Sequence, residues 1–258
     1  MKMRTFKTGI SRSLFLILSI LAGLAVGHAS AAEQSVSLTT ADGVTISAVV
    51  DTPDATSDSA PAVIFIHQGG SSKTEWRLTN LYKDVIDHGM IALAYDVRGH
   101  GASGGEGGAS LFNDPNRAPL DLKAAIEHLS SRADVDPRRI AIVGSSIGAN
   151  LACVAVGSPH FDIRAAVAIS GKTSAVFNLA GGESELTALS SVYLIASEAE
   201  QDGQRARWAS QLYELAEEPK QLEIVKGSSH HGTAIFHDDP SLQSRIMSWL
   251  EAMLTPPN

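Results

Sequence analysis

Cysteine is nearly absent. Cys153 is the only one in 258 residues, which excludes an internal disulfide framework and a cysteine-rich zinc module. Positive charge is scarce too: 20 Lys and Arg stand against 28 Asp and Glu, for a formal charge of −8. That balance offers no basic footprint for nucleic acid or for an anionic membrane surface. No HExxH occurs, no SxxK opens a helix, and there is no internal repeat or low-complexity segment. Metalloprotease and penicillin-binding chemistry are therefore not indicated. What is present is ordinary globular composition, 44% hydrophobic and 19% charged, in a length that suits one large domain or two small ones.

The long hydrophobic run lies at the start. Lys2, Arg4, Lys7 and Arg12 precede Leu14 to Val26, and Ala29-Ser30-Ala31 then sets small residues at alternate positions. This order predicts a secretory signal peptide over 1–31. The alternative is a retained anchor, but 13 helical residues rise only about 20 Å against a hydrocarbon core of about 30 Å. No cysteine near the cleavage region supports a lipoprotein. Removing 1–31 takes the formal charge from −8 to −12. The expected location is periplasmic or secreted, which an unbridged lone thiol also fits, with no membrane contact after signal removal.

The remainder, 32–258, reads as a single α/β domain. Val36 to Val50 alternates around the turn dipeptide Asp42-Gly43, as an opening hairpin would. Short apolar runs follow at 62–66, 91–95, 140–143, 165–169, 192–196 and 222–225. Most are continuous rather than alternating, as strands covered on both faces require. Helical patterns fall at about 75–88, 119–132, 147–157, 202–217 and 241–254. Strand and helix in alternation predict a mostly parallel sheet with right-handed crossovers.

Several motifs compete. Gly99 to Gly104 fits GxGxxG, yet the chain continues Gly105-Glu106-Gly107-Gly108, a poor start for the helix that a dinucleotide site needs. Gly171-Lys172-Thr173 ends like a phosphate-binding loop but has Ala166 where the first glycine belongs. GxSxG occurs twice, at 101–105 and 144–148. The second sits directly after a strand, Ile140 to Val143, and runs straight into an apolar helix. Such a turn exposes its central serine at the sheet's carboxyl edge, which makes Ser146 the nucleophile candidate, with the Ile147 N–H beside the developing oxyanion.

With these features the chain resembles the α/β-hydrolase superfamily, in its serine esterase and dienelactone-hydrolase-like branch. The likeness runs from the opening hairpin to the last helix. It implies a mostly parallel central sheet flanked by helices, and a triad in the order nucleophile, acid, histidine. Only about twenty residues separate 169 from 192, so little or no cap is expected. Dienelactone-type enzymes use a cysteine nucleophile, whereas the elbow here holds Ser146, and Cys153 reads as a core residue.

The resemblance places the histidine in the loop Ser228-Ser229-His230-His231-Gly232, where His231 precedes glycine and is preferred to His230. The acid falls in Glu198 to Asp202, with Glu200 first and Asp202 second. Val63 to Gly70 resembles the family's oxyanion loop, with Gly69 the preferred second donor and Gln68 the alternative. His67, Arg98 and Ser103 read as structural. The expected function is hydrolysis of carboxylic esters through an acyl-enzyme on Ser146, and the alternative is an inactive secreted binding protein of the same fold. The expected partner is a small-molecule or acylated ester substrate. No cofactor, metal or nucleic acid is expected.

Overall fold

A computed structural model of the chain describes residues 32–54, 59–187 and 189–255, together with Met1 and Met3. The expected signal peptide otherwise lies outside the described residues. The strands are β1 (Ala32–Thr39), β2 (Thr45–Thr52), β3 (Ala60–Ile66), β4 (Ile91–Tyr95), β5 (Val135–Ser145), β6 (Ala165–Ile169), β7 (Val192–Ser197) and β8 (Lys220–Val225). The helices are α1 (Thr74–Arg77), α2 (Asn80–Asp87), α3 (Ala118–Ser130), α4 (Ile147–Gly157), α5 (Thr173–Ala180), α6 (Gln204–Leu215), α7 (Ile235–Asp238) and α8 (Leu242–Leu254).

The strands form one eight-stranded sheet in the order β1-β2-β4-β3-β5-β6-β7-β8. The opening hairpin pairs antiparallel and β2 lies antiparallel to β4. All later pairings are parallel.

Alternate residues of the central strands feed two separate cores. Ile64, Ile66, Leu93 and Ile142 pack with α3 and α4, while Val63, Phe65, Val143 and Ile169 pack with Trp76, Leu81 and Leu250 of α1, α2 and α8. Both faces are covered, so the strand sequences are apolar at every position rather than at every second one. Helix α4 is buried almost all round, because it lies between the sheet and α5. An all-apolar helix is the expected sequence for such a place.

The single helical pattern expected over 75–88 is two helices. Thr79 is extended and its Oγ1 accepts from Tyr82 N at 3.2 Å, which caps α2 and ends the α1 segment. Helix α5 was not expected. It occupies the short β6–β7 connection and packs on α4 and α6. At the far end, Arg139 Nε donates to Leu254 O at 2.6 Å and Arg164 Nε to Met253 O at 3.0 Å. These bonds fasten the end of α8 beside the amino ends of the core segments of β5 and β6. Among the described residues no helix is long and apolar enough to cross a membrane.

Candidate active site

The turn from β5 into α4 is strained at one residue. Ser146 has φ 52° and ψ −102°, a conformation that non-glycine residues rarely adopt. Its N–H donates to Ile169 O at 2.8 Å and its carbonyl accepts from Asn150 N at 3.1 Å. Both motif glycines have steric reasons. A Cβ on Gly144 would stand 2.1 Å from Gly148 O, and one on Gly148 would stand 2.2 Å from Ile66 O of β3. The turn closes only because neither atom exists. Ser146 is 8% exposed.

Three carboxylates follow β7, and the structure gives each a different place. Glu198 Oε2 accepts from Gly227 N at 2.9 Å and braces the loop after β8. Glu200 is buried, with Oε1 2.7 Å from His231 Nδ1 and Oε2 accepting from Ser170 Oγ at 3.2 Å. Asp202 is exposed in a left-handed turn, and its carbonyl rather than its carboxylate takes Arg207 Nη1. Glu200 is therefore the carboxylate that meets the histidine, and Asp202 does not approach it. An ionised carboxylate can only accept, so the Glu200 bond puts the proton on Nδ1 and leaves the Nε2 lone pair free.

The adjacent imidazoles diverge. His230 Nδ1 lies 2.8 Å from Asp238 Oδ2 on the exposed side. His231 enters the site because Gly232 behind it takes φ +58°, where a Cβ would collide with Gln68 Oε1 at 2.1 Å and approach Ser145 Cβ at 3.4 Å. Gly232 N donates to Ser170 Oγ at 3.1 Å. The loop carrying His231 thus packs directly against the turn that carries Ser146. Among the described residues no hydrogen bond joins Ser146 Oγ to His231 Nε2, a contact that commonly tightens only when substrate is bound.

The candidate oxyanion loop is held by its own histidine. His67 is fully buried and neutral: Nε2 accepts from Val97 N at 2.9 Å, and Nδ1 lies 2.7 Å from Gln68 O. Burial lowers its pKa, which keeps it uncharged. In a trans peptide the next N–H points opposite to the carbonyl, so anchoring Gln68 O turns the Gly69 N–H the other way. Gln68's own N–H is occupied by Glu75 Oε2 at 3.1 Å, which removes Gln68 as an oxyanion donor. Gly69 packs against the Ile147 side chain. Among the described residues neither Gly69 N nor Ile147 N has an acceptor.

Sequence reasoning missed two residues beside these groups. Arg205 Nε lies 3.1 Å from Glu200 Oε1, out of line for a hydrogen bond, while its Nη1 donates to Ser170 O at 2.9 Å. Burial lowers the guanidinium's pKa and Glu200 opposes that fall. Glu75 is the second, and no local motif marks either one. The remaining candidates are structural parts. Ser103 Oγ accepts from Ser47 N at 2.8 Å and donates to Asp96 O at 2.6 Å. Arg98 is buried between Asp121 and Asp42. Burial pushes the Cys153 thiol up to about 12, so it stays protonated in the core. Among the described residues no group of His, Cys, Asp and Glu gathers to hold a metal ion.

Comparison with known proteins bears on the fold that carries these residues. A family model described as serine aminopeptidase, S33, matches residues 58–182. The uncharacterized protein YfhR of Escherichia coli O157:H7 is 24% identical over 247 residues, covering 87% of this chain and 83% of its own. Among solved structures, the esterase Pf2001 of Pyrococcus furiosus superposes with a TM-score of 0.68 at 20% identity, over 87% of this chain and 94% of that one. An acetyl xylan esterase from Paenibacillus sp. R4 gives 0.69 at 20% identity, over 88% and 89%. At such identities the structural likeness establishes the fold.

Proposed function

We propose that this chain, which has the α/β-hydrolase fold, is a serine hydrolase cleaving carboxylic esters through an acyl-enzyme on Ser146. Ser146 Oγ attacks the ester carbonyl while His231 Nε2 takes its proton. Glu200 holds the Nδ1–H and balances the imidazolium that forms. The N–H groups of Ile147 and Gly69 receive the oxyanion, where each such donor is worth about 3–4 kcal/mol in the transition state. His231 then protonates the departing alcohol. Water, activated by the same imidazole, releases the acid.

The observation that carries this reading is the 2.7 Å contact between Glu200 Oε1 and His231 Nδ1. An inactive binding protein has no need of a carboxylate buried against that ring. The basic start and apolar run of residues 2–26 support action in the periplasm or outside the cell.

Hydrolysis of short-chain p-nitrophenyl esters by the purified protein, beside Ser146→Ala, tests the proposal. Activity that vanishes in a folded Ser146→Ala establishes ester hydrolysis at this serine. Equal rates in both would sink the nucleophile assignment. An aminoacyl p-nitroanilide run in parallel separates ester from amide preference.

A further inference from the structure

Three loops must keep register for the chemistry above: the oxyanion loop after β3, the turn after β5 and the histidine loop after β8. They come from distant parts of the chain, and one carboxylate touches all three. Glu75 Oε2 accepts from Gln68 N at 3.1 Å, while Oε1 accepts from Ser145 Oγ at 2.7 Å and from Thr233 Oγ1 at 3.1 Å. Gln68 precedes the oxyanion donor, Ser145 precedes the nucleophile, and Thr233 lies two residues past the histidine.

The carboxylate itself is firmly placed. Its neighbour Trp76 is fully buried and donates from Nε1 to Ile66 O at 2.9 Å, which pins α1 to the end of β3. The Glu75 N–H is tied to Ser72 O at 2.9 Å. A four-residue helix so anchored has little freedom to follow a moving loop, so the loops conform to it.

We propose that Glu75 is a positioning residue that locks these three loops to one another, so that the Gly69 N–H, Ser146 and His231 share one geometry. This rests on the ester-hydrolase reading. A shift of about 1 Å in such a site can cost on the order of 10²-fold in rate. Glu75→Ala removes all three acceptor contacts. Glu75→Gln can restore them, because its amide oxygen can accept from Gln68 N while its NH₂ donates to the hydroxyls of Ser145 and Thr233, which serve as donor or acceptor.

The test joins steady-state kinetics to amide hydrogen exchange on the full chain. Glu75→Ala is expected to lower kcat roughly 10- to 100-fold with KM little changed, and to speed exchange in both 67–71 and 228–234. Glu75→Gln is expected to return kcat to within about threefold of the parent and to slow exchange in both loops again. An alanine variant with unchanged kcat and exchange would overturn the proposal. So would a glutamine variant as impaired as alanine. If the parent hydrolyses no ester, the functional reading fails separately, and exchange still decides whether Glu75 ties the loops.

Discussion

His231 Nδ1 and Glu200 Oε1 meet at 2.7 Å across 31 residues of sequence, whereas Asp202, two residues further on, faces solvent. Glu200→Gln should lower kcat by about 10³-fold or more with little change in KM, because an amide can present a donor to the ring and favour the unproductive tautomer. Asp202→Asn should stay within about twofold of the parent. Steady-state kinetics on one ester settles both, and equal losses in the two variants would contradict the assignment.

The two GxSxG copies should separate by what each serine does. Ser103 bridges Ser47 N and Asp96 O and anchors the loop after β4. Ser103→Ala should cost about 1–2 kcal/mol of stability while kcat holds. Ser146→Ala should do the reverse. Denaturant midpoints measured beside ester turnover give a two-by-two answer.

Gly148 has a backbone neighbour rather than a movable side chain. Its missing Cβ would stand 2.2 Å from Ile66 O, so relief requires β3 and α4 to part. Gly148→Ala should destabilise the protein by about 3 kcal/mol. A melting temperature equal to that of the parent would show that the turn has slack.

Asp42 supplies a pH dependence. Hydrogen bonds from Arg98, then from Thr40, hold its carboxyl down to about 2, below the usual aspartate value of about 3.9. A carboxyl depressed in the folded state stabilises above the unfolded pKa and loses that contribution as pH falls through the folded one. Since 36% of the side chain is exposed, solvent screening trims the effect to about 1 kcal/mol. Asp42→Asn should therefore be less stable than the parent at neutral pH, and the gap should close between about pH 4 and pH 2. Urea titrations at several pH values measure it.

The strands were legible because burial on both faces writes itself as unbroken apolar runs, and Ile140–Val143 before Gly144 located the strained turn at Ser146. His231 was legible through its following glycine, whose positive φ the structure explains by the approach of Gln68. Helix α5 was not, since eight residues after Gly171-Lys172 give little more than two turns in which a period can register. Glu75 and Arg205 were invisible for a different reason. Their partners lie on loops distant in sequence, so no local spacing records them. Glu200 against Asp202 was likewise a matter of where a left-handed turn points its side chains, which the run Glu200-Gln201-Asp202-Gly203 does not state.

The fastening of α8 has a practical reading. Arg139 and Arg164 hold Leu254 and Met253 beside the starts of the β5 and β6 core segments, while Ser146 and Ser170 follow the ends of those strands. The five residues of β6 put about 17 Å of sheet between the two rims. A tether or fusion partner attached after Thr255 would therefore sit on the rim away from Ser146, and the protein could be immobilised with the Ser146 edge facing the bulk solution.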